Sequence, residues 1–181
     1  YIWSCKKIKY MFPKAHAAAY VMMAFRIAWF KVYQPLAYYA AYFTIRAEGS
    51  FNAPVILKGL ESQKAELARI AALEHSTAVE KGNATVIEVA AEMYLRGMEF
   101  LPIDLDRSDA SEFKMVDGKL LPPFNCIPAL GDAVAKEIVR ARGEHLFTSK
   151  EDLKKRGKVS QSIIDTMAVS YTHLRAHETR G

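Results

Sequence analysis

A run of twenty residues without a helix breaker, from Lys14 to Tyr33, constrains the fold of this chain more than any other feature. Pro13 can stand at the first position of a helix, where its missing N–H costs nothing. Pro35 should end the helix, because the residue before a proline avoids the α region. The pattern therefore predicts one helix of roughly 30 Å, at about 1.5 Å per residue.

This run is too charged to cross a membrane. Its charge-free part extends only from Ala15 to Phe25 and is followed by Arg26 and Lys31, whereas a membrane span needs about 20 apolar residues. We therefore expect a buried helix in a soluble protein, and no membrane partner.

The composition is that of a globular protein. The 181 residues are 51% hydrophobic and 25% charged, which excludes a wholly disordered chain and accommodates one domain or two small ones. The two cysteines, Cys5 and Cys126, are too few for a disulfide framework or a zinc site. We expect a cytoplasmic protein from a reducing compartment and, since the chain begins without Met, a fragment of a longer polypeptide.

The positive charge is concentrated at the N-terminal end. Residues 1–60 contain eight Lys or Arg and a single acid, Glu48, whereas the whole chain carries a net charge of +5. Thirteen of the 20 aromatic residues lie within residues 1–47. Cationic side chains pair with phosphates and aromatic rings stack on bases, so the composition of this end favours a nucleotide or nucleic-acid partner. A buried helix pair with a solvated basic rim is the alternative.

Helical periodicity predicts three further helices in the first half of the chain: Leu36–Arg46, Glu61–His75 and Thr85 to about Arg96. The Lys81-Gly82-Asn83 segment is predicted as the turn before the third helix. Thr85 is its predicted N-cap, and Gly97 is its predicted stop.

The pattern changes near residue 98, where we place a domain boundary. Leu101–Leu105 is predicted as a strand, and Asp117-Gly118 between two short apolar runs predicts a β-hairpin. The chain is then predicted to be helical to Met167. The predicted breaks in this last part are Gly131, Gly143 and Gly157.

Residues Ile127 to Arg140 resemble the helix-hairpin-helix motif of non-specific DNA-binding proteins. In that motif a tight turn and the start of its second helix present free backbone N–H groups to a phosphate, and the helix dipole assists. Ala129 replaces the first glycine of the turn, where a left-handed backbone would be strained. A plain helical turn is the alternative. The candidate DNA-binding residues here are Ala129, Leu130, Gly131, Asp132, Ala133, Lys136 and Arg140.

A second, weaker unit of this kind follows at residues 150–167, with Gly157-Lys158-Val159 as its turn. Lys158 joins the candidate DNA-binding residues, in a cluster with Lys154, Lys155 and Arg156. A solvated charged face is the alternative. The predicted fold is mainly α: a helical segment, residues 1–98, precedes a small α+β part, residues 99–167, with a β-hairpin and tandem helix-hairpin-helix units.

The start of the long helix carries the second candidate site. His16 and Tyr20 are four residues apart and therefore share a helix face, and the intervening alanines leave room for a flat ring. With Lys14 at the helix start to meet phosphate, they would form one wall of a nucleotide pocket. The alternative is a core histidine hydrogen-bonded to a tyrosine.

These residues also carry a family resemblance. The segment from Tyr1 to Tyr20 resembles the fingers of PolC-type DNA polymerase III alpha subunits, the C-family replicative polymerases of bacteria. The resemblance covers about residues 1–167. It continues through the following segments: Phe30–Val32, Pro35–Phe43, Glu92–Tyr94, Ile103–Leu105, Ser108–Ala110, Pro122–Asn125, the hairpin and Ser149–Leu153.

The resemblance implies a fragment of a DNA-directed DNA polymerase, a nucleotidyltransferase, which is inactive alone. It implies that Mg²⁺ is held by palm carboxylates outside this chain, so that no catalytic residue lies within it. Phe12, Lys14, His16 and Tyr20 would face the nascent base pair and the nucleotide phosphates, while the hairpin units would grip the duplex. The implied partners are primer-template DNA, a deoxynucleoside triphosphate, the upstream palm and fingers, and a sliding clamp.

Two further features do not indicate a metal site. Asp104, Asp106 and Asp109 are interpreted as surface acids or caps, and His173 and His177 have helical metal-ligand spacing without a third ligand. Residues 168–181 differ from the family, resemble translated adaptor sequence, and stand where the clamp-binding peptide would be. The alternatives to a polymerase fragment are a stand-alone, non-catalytic helix-hairpin-helix DNA-binding module and a membrane-surface protein.

Overall fold

A computed structural model describes residues 3, 13–46 and 49–170, the side chains of residues 168–170 excepted. Its helices are, in chain order, α1 Lys14–Tyr33, α2 Pro35–Arg46, α3 Ala53–Ile56, α4 Leu60–Ala71, α5 Ala78–Leu95, α6 Asp132–Glu144, α7 Lys150–Arg156 and α8 Gln161–Ser170. A two-stranded antiparallel sheet, formed by β1 Lys114–Val116 and β2 Lys119–Leu121, lies between α5 and α6. A single 3₁₀ turn, Phe124–Cys126, follows the sheet. The predicted mainly α fold with a β-hairpin is confirmed.

Helix α1 has the bounds predicted from the sequence, although Pro13 stands one position earlier than expected. Pro13 is the N-cap, and its carbonyl accepts a hydrogen bond from the N–H of Ala17 at 2.9 Å. Gln34 leaves the helical conformation, with φ −135° and ψ 56°. Pro35 therefore ends α1 as predicted and begins α2.

The predicted burial of α1 is wrong for the part of the chain that is described. None of its side chains is buried, and large apolar ones such as Phe25 and Trp29 are 72% and 51% exposed. The helix packs mainly along α2. Apolar surface on this scale is typical of an interaction face. Its cover would have to come from polypeptide other than the described residues.

The N-cap of helix α5 lies eight residues earlier than predicted, so the turn at Lys81-Gly82-Asn83 and the cap at Thr85 are wrong. Thr77 is the N-cap: its hydroxyl accepts from the N–H of Glu80 at 3.2 Å, and the Glu80 carboxylate accepts from the N–H of Thr77 at 2.8 Å. This capping box satisfies two helix-end donors, which offsets the cost of about 1 kcal/mol for Gly82 inside a helix. Gly97, with φ +80°, ends the helix as predicted.

The predicted strand at Leu101–Leu105 is also wrong. A single bridge joins Phe100 to Leu120, and the N–H of Leu101 donates to the carbonyl of Leu120 at 2.7 Å. Beyond this point the carboxylate of Asp104 accepts from the N–H of Asp106 at 2.8 Å and closes a turn. The backbone N–H of Asp106 is thus satisfied by the Asp104 carboxylate and not by the carbonyl of a neighbouring strand.

The predicted β-hairpin is confirmed. Lys114 pairs with Leu121 and Val116 with Lys119, and the two turn residues between them have positive φ, 51° at Asp117 and 75° at Gly118. These values belong to the turn that matches the twist of a two-residue hairpin, for which Asp-Gly is well suited.

The buried apolar side chains form two clusters. The first surrounds α2 and α5 and includes the rings of Phe43, Phe100 and Phe113. The second joins α6, α7 and α8. Phe51, Leu57 and Cys126 pack against both clusters. The domain boundary near residue 98 stays a prediction.

Candidate nucleic-acid interface

The first candidate turn runs from Ile127 to Gly131. Ala129 has φ +65°, the left-handed conformation that the sequence indicated would be strained, at a cost of roughly 1–2 kcal/mol. Leu130 is 4% exposed and faces inward as predicted. The short first helix of the motif is reduced to the 3₁₀ turn, because Pro128 holds Ile127 in an extended conformation, with ψ 126°.

The turn leads directly into α6, whose N-terminus has no side-chain cap. Gly131 is the N-cap, and its carbonyl accepts from Val134 and Ala135, both at 3.0 Å. Helix geometry leaves the earlier N–H groups, those of Asp132 and Ala133, without partners within the helix. All three residues at this end are exposed, so the helix start can bind an anion.

The second turn repeats this geometry. Lys158 has φ +54° in the position of Ala129, and Val159, 2% exposed, occupies the position of Leu130. The carbonyl of Ser160 accepts from Ile164 at 3.1 Å, as Gly131 does from Ala135. At Gly157 a Cβ would lie 2.8 Å from the carbonyl oxygen of Leu153, so the tight approach requires glycine there.

An ion pair connects the two units. The Nζ of Lys158 lies 3.1 Å from a carboxylate oxygen of Glu137 on α6, and Glu137 also accepts from Arg140 at 2.9 Å. Hydrogen bonds from Arg140 and Lys158 lower the pKa of Glu137 to about 2. Two predicted DNA-binding cations are thus already paired. The Glu137 side chain is 17% exposed, whereas its partner Lys158 is 73% exposed. Ion pairs at the protein surface are weak in water, so a phosphate can replace the carboxylate.

Sequence reasoning missed Glu137 because its partner Lys158 is distant in sequence. The pairing of Glu137 with Arg140, by contrast, has the i,i+3 spacing that sequence can reveal.

The two remaining charged candidates lie beside the first turn. Lys136 is exposed and lines a cleft of about 730 Å³ that also includes the turn. Asp132 accepts a hydrogen bond from the side-chain amide of Asn125 at 3.2 Å. The structure therefore brings Lys136 to the side of the uncapped helix start, and ties Asp132 to the 3₁₀ turn.

Two arginines near the candidate turns, Arg142 of α6 and Arg156 of the predicted basic cluster, face the protein instead of the solvent. Arg142 donates to the carbonyls of Leu105 and Ser108 at 3.1 and 2.7 Å. Arg156 donates to the carbonyls of Ala141 and His145. These cations bind chain segments together, so the exposed positive charge in this part is smaller than the sequence suggested.

We expect Glu137→Gln to tighten duplex DNA binding about threefold at low salt, the scale on which exposed charge pairs act. The change removes a negative charge from between the turns and releases Lys158, while Arg140 keeps its ion pair with Glu144 at 2.8 Å. Fluorescence anisotropy with a labelled duplex measures the Kd of each variant. Glu61→Gln, which removes an equal charge from an exposed position on α4, is the matched control. Equal affinities for the two variants would contradict the placement of DNA beside Glu137.

The second candidate site lies on α1. Phe12 is outside the described residues. Lys14 is the first residue of the helix, and the rings of His16 and Tyr20 meet edge to face with centroids 4.8 Å apart. Tyr20 is 61% exposed, which differs from the alternative of a buried His-Tyr pair. The structure thus places the three described candidates on the first two turns of one exposed helix.

Two of the three aspartates after residue 103, Asp104 and Asp109, act in local structure. Burial raises the pKa of Asp104, but hydrogen bonds from Arg107 and Asp106 outweigh it and hold the pKa below its ordinary value. Asp109 pairs with Lys114 at 3.0 Å. In the described part of the chain, no three His, Cys, Asp or Glu residues are grouped so that they could hold a metal ion. His173 and His177 lie outside that part.

None of the described helices combines the length and the apolar character needed to cross a membrane.

Comparisons with known proteins agree with this geometry. A family model described as "Helix-hairpin-helix motif" matches residues 97–171. Proteins named DNA polymerase III PolC-type are similar over most of the chain. The relative from Clostridium perfringens is 51% identical over 168 residues, 92% of this chain, and that from Listeria monocytogenes is 55% identical over 170 residues, also 92%. The relative from Bacillus subtilis is 54% identical over 166 residues, 91% of this chain. The chain spans about 12% of the length of each relative.

Proposed function

We propose that this chain, which is homologous to a segment of PolC-type DNA polymerase III and contains a helix-hairpin-helix motif, is part of a template-directed DNA polymerase. In this proposal residues 99–167 grip the duplex without regard to sequence, and the start of α1 forms one wall of the pocket for the incoming nucleotide.

The observation that carries the duplex grip is the repeated turn. Each unit has a left-handed residue, a buried aliphatic anchor and an exposed helix start in the same order, at Ala129–Gly131 and at Lys158–Ser160. Backbone N–H groups at such a start bind phosphate oxygens. Phosphate contacts position a protein on the duplex but do not read its sequence. Two such sites joined through Glu137 would follow the backbone of one duplex.

The nucleotide wall is supported by exposure and spacing. Tyr20 and His16 present two rings on one exposed face, and Lys14 places a cation at the start of the same helix, two residues before His16. We propose that the rings lie against the nascent base pair and that Lys14 approaches the phosphates, with Phe12 near the same pocket. Aromatic rings stack on every base, so this wall would tolerate all four nucleotides.

The described residues do not fit the Mg²⁺ ions that nucleotide addition by such polymerases uses. Asp104 is engaged by Arg107 and by backbone N–H groups, and Asp109 by Lys114. We propose that palm carboxylates outside this chain hold the metal and that the chain alone adds no nucleotides. The similarity to PolC-type relatives also leads us to propose the upstream palm and fingers, and a sliding clamp, as partners of this segment.

The proposal is tested by titrating two labelled duplexes of unrelated sequence with the chain. Affinities that agree within about twofold support phosphate recognition, whereas binding to one sequence alone contradicts it. Primer extension by the complete polypeptide that contains this segment separates the polymerase from the stand-alone DNA-binding module. The exposed apolar face of α1 favours the polymerase, because a stand-alone module has no further domain to cover it.

A further inference from the structure

The direction of α1 is fixed at its C-terminal end by a group of polar contacts with α2 and α5. Lys31 pairs with Glu92 at 2.8 Å, and Arg96 donates to the carbonyl of Lys31 at 2.8 Å and to the hydroxyl of Tyr39 at 3.1 Å. We call these four residues the Arg96 clamp. They join three helices, although α1 itself has no buried side chain among those described.

The Arg96 contact compensates for a missing backbone donor. Within a continuous helix the carbonyl of Lys31 would accept from the N–H of residue 35, but residue 35 is proline and has none. The guanidinium of Arg96 supplies that hydrogen bond. It also places a positive charge at the negative end of the α1 dipole.

The partners of Arg96 are themselves fixed. Tyr39 is fully buried, and the guanidinium carbon of Arg96 lies 5.7 Å from the centre of its ring. Hydrogen bonding to Glu92 is the main cause of the raised pKa of Lys31, so this side chain stays charged at neutral pH. The clamp is therefore a geometrically defined joint in which Arg96 is held against a rigid ring.

We propose that Arg96, together with the Lys31–Glu92 pair, positions the nucleotide-facing end of α1; the inference rests on the proposed function of that helix. Tyr20 lies eleven residues from Lys31, or roughly 16 Å along the helix axis at about 1.5 Å per residue. Over that length a tilt of about 10° moves Tyr20 by about 3 Å, enough to misplace a ring that must contact a base. None of the clamp residues touches the nucleotide.

The test is made in the complete polymerase polypeptide that contains this segment, with steady-state incorporation of single nucleotides. Arg96→Met removes both hydrogen bonds. It is expected to raise the KM for the nucleotide about tenfold, while the Kd for primer-template stays within about twofold. Arg69→Met is the matched control, since Arg69 is an exposed arginine on α4. Arg96→Lys keeps the charge but loses the planar donor fork of the guanidinium, and is expected to fall between wild type and Arg96→Met.

A double-mutant cycle with Lys31→Met and Glu92→Gln keeps the test decisive if Arg96→Met does not fold. Residues in contact have non-additive effects, so the double variant should raise the nucleotide KM no more than the stronger single variant. An additive rise, no rise, or an equal loss of nucleotide and primer-template binding would overturn the positioning role. If the wild-type polypeptide incorporates no nucleotide, the proposed function fails before any variant is compared.

Discussion

The Kd of this chain for duplex DNA is expected to be about 100-fold higher at 200 mM than at 50 mM monovalent salt. The logarithm of the binding constant falls with that of the salt concentration by about 0.9 for each phosphate neutralised. Two turns that each contact about two phosphates give a slope of roughly −3.6, and hence this loss over a fourfold change in salt. Anisotropy titrations across a salt series measure the slope directly.

Gly131→Glu tests whether the first turn provides two of those contacts. Gly131 has φ −76°, which any residue adopts, and a Cβ there meets no atom within 4 Å. The substitution should therefore leave the fold intact while it places a carboxylate beside the uncapped helix start. We expect duplex affinity to fall more than about tenfold, together with a shallower salt slope.

Gly143→Glu is the matched control. Gly143 lies near the other end of the same helix, and a Cβ there also has open space. The two variants carry the same added charge, so only its position on α6 differs. Equal affinity at low and high salt, or equal behaviour of the two variants, would show that the turn does not hold phosphate.

Local sequence signals predicted most of the helical framework. The bounds of α1 follow from Pro13 and Pro35, and the β-hairpin follows from Asp117-Gly118. The errors have local causes as well. The capping box at Thr77 begins α5 before Gly82, so Gly82 lies inside a helix and not in the predicted turn. Gly143, which was predicted as a break, likewise lies inside α6.

The charge distribution of the candidate interface was less predictable, because it depends on tertiary contacts. Lys158 and Glu137 come together only when the two hairpin units pack, and Arg142 finds its acceptors in the loop near Ser108. Sequence alone counts such cations as free surface charge. The turn itself was predictable, because Leu130 is the one large apolar side chain between Ala129 and Gly131 and therefore faces inward.

In the complete polypeptide that contains this segment, Tyr20→Ala is expected to weaken the apparent nucleotide affinity about 10- to 100-fold if the proposed nucleotide wall is correct. A ring stacked on a base contributes about 1–3 kcal/mol, and each 1.4 kcal/mol corresponds to about tenfold in affinity. Duplex binding should change little, because the proposed phosphate contacts lie on α6 and α8. Pre-steady-state incorporation at varied nucleotide concentration gives the apparent Kd, and a duplex titration gives the second value.

The controls separate stacking from a general effect on α1. Tyr20→Phe keeps the ring and should retain nucleotide affinity within about twofold if stacking dominates. Tyr33→Ala removes an equally exposed ring, 64% against 61%, from the opposite end of the same helix. Tyr33 lies thirteen residues away, or roughly 20 Å, so its loss should leave the apparent Kd unchanged. If Tyr20→Ala and Tyr33→Ala weaken nucleotide binding equally, the exposed face of α1 is a packing surface for the rest of the polypeptide, and the nucleotide wall must be sought on another helix.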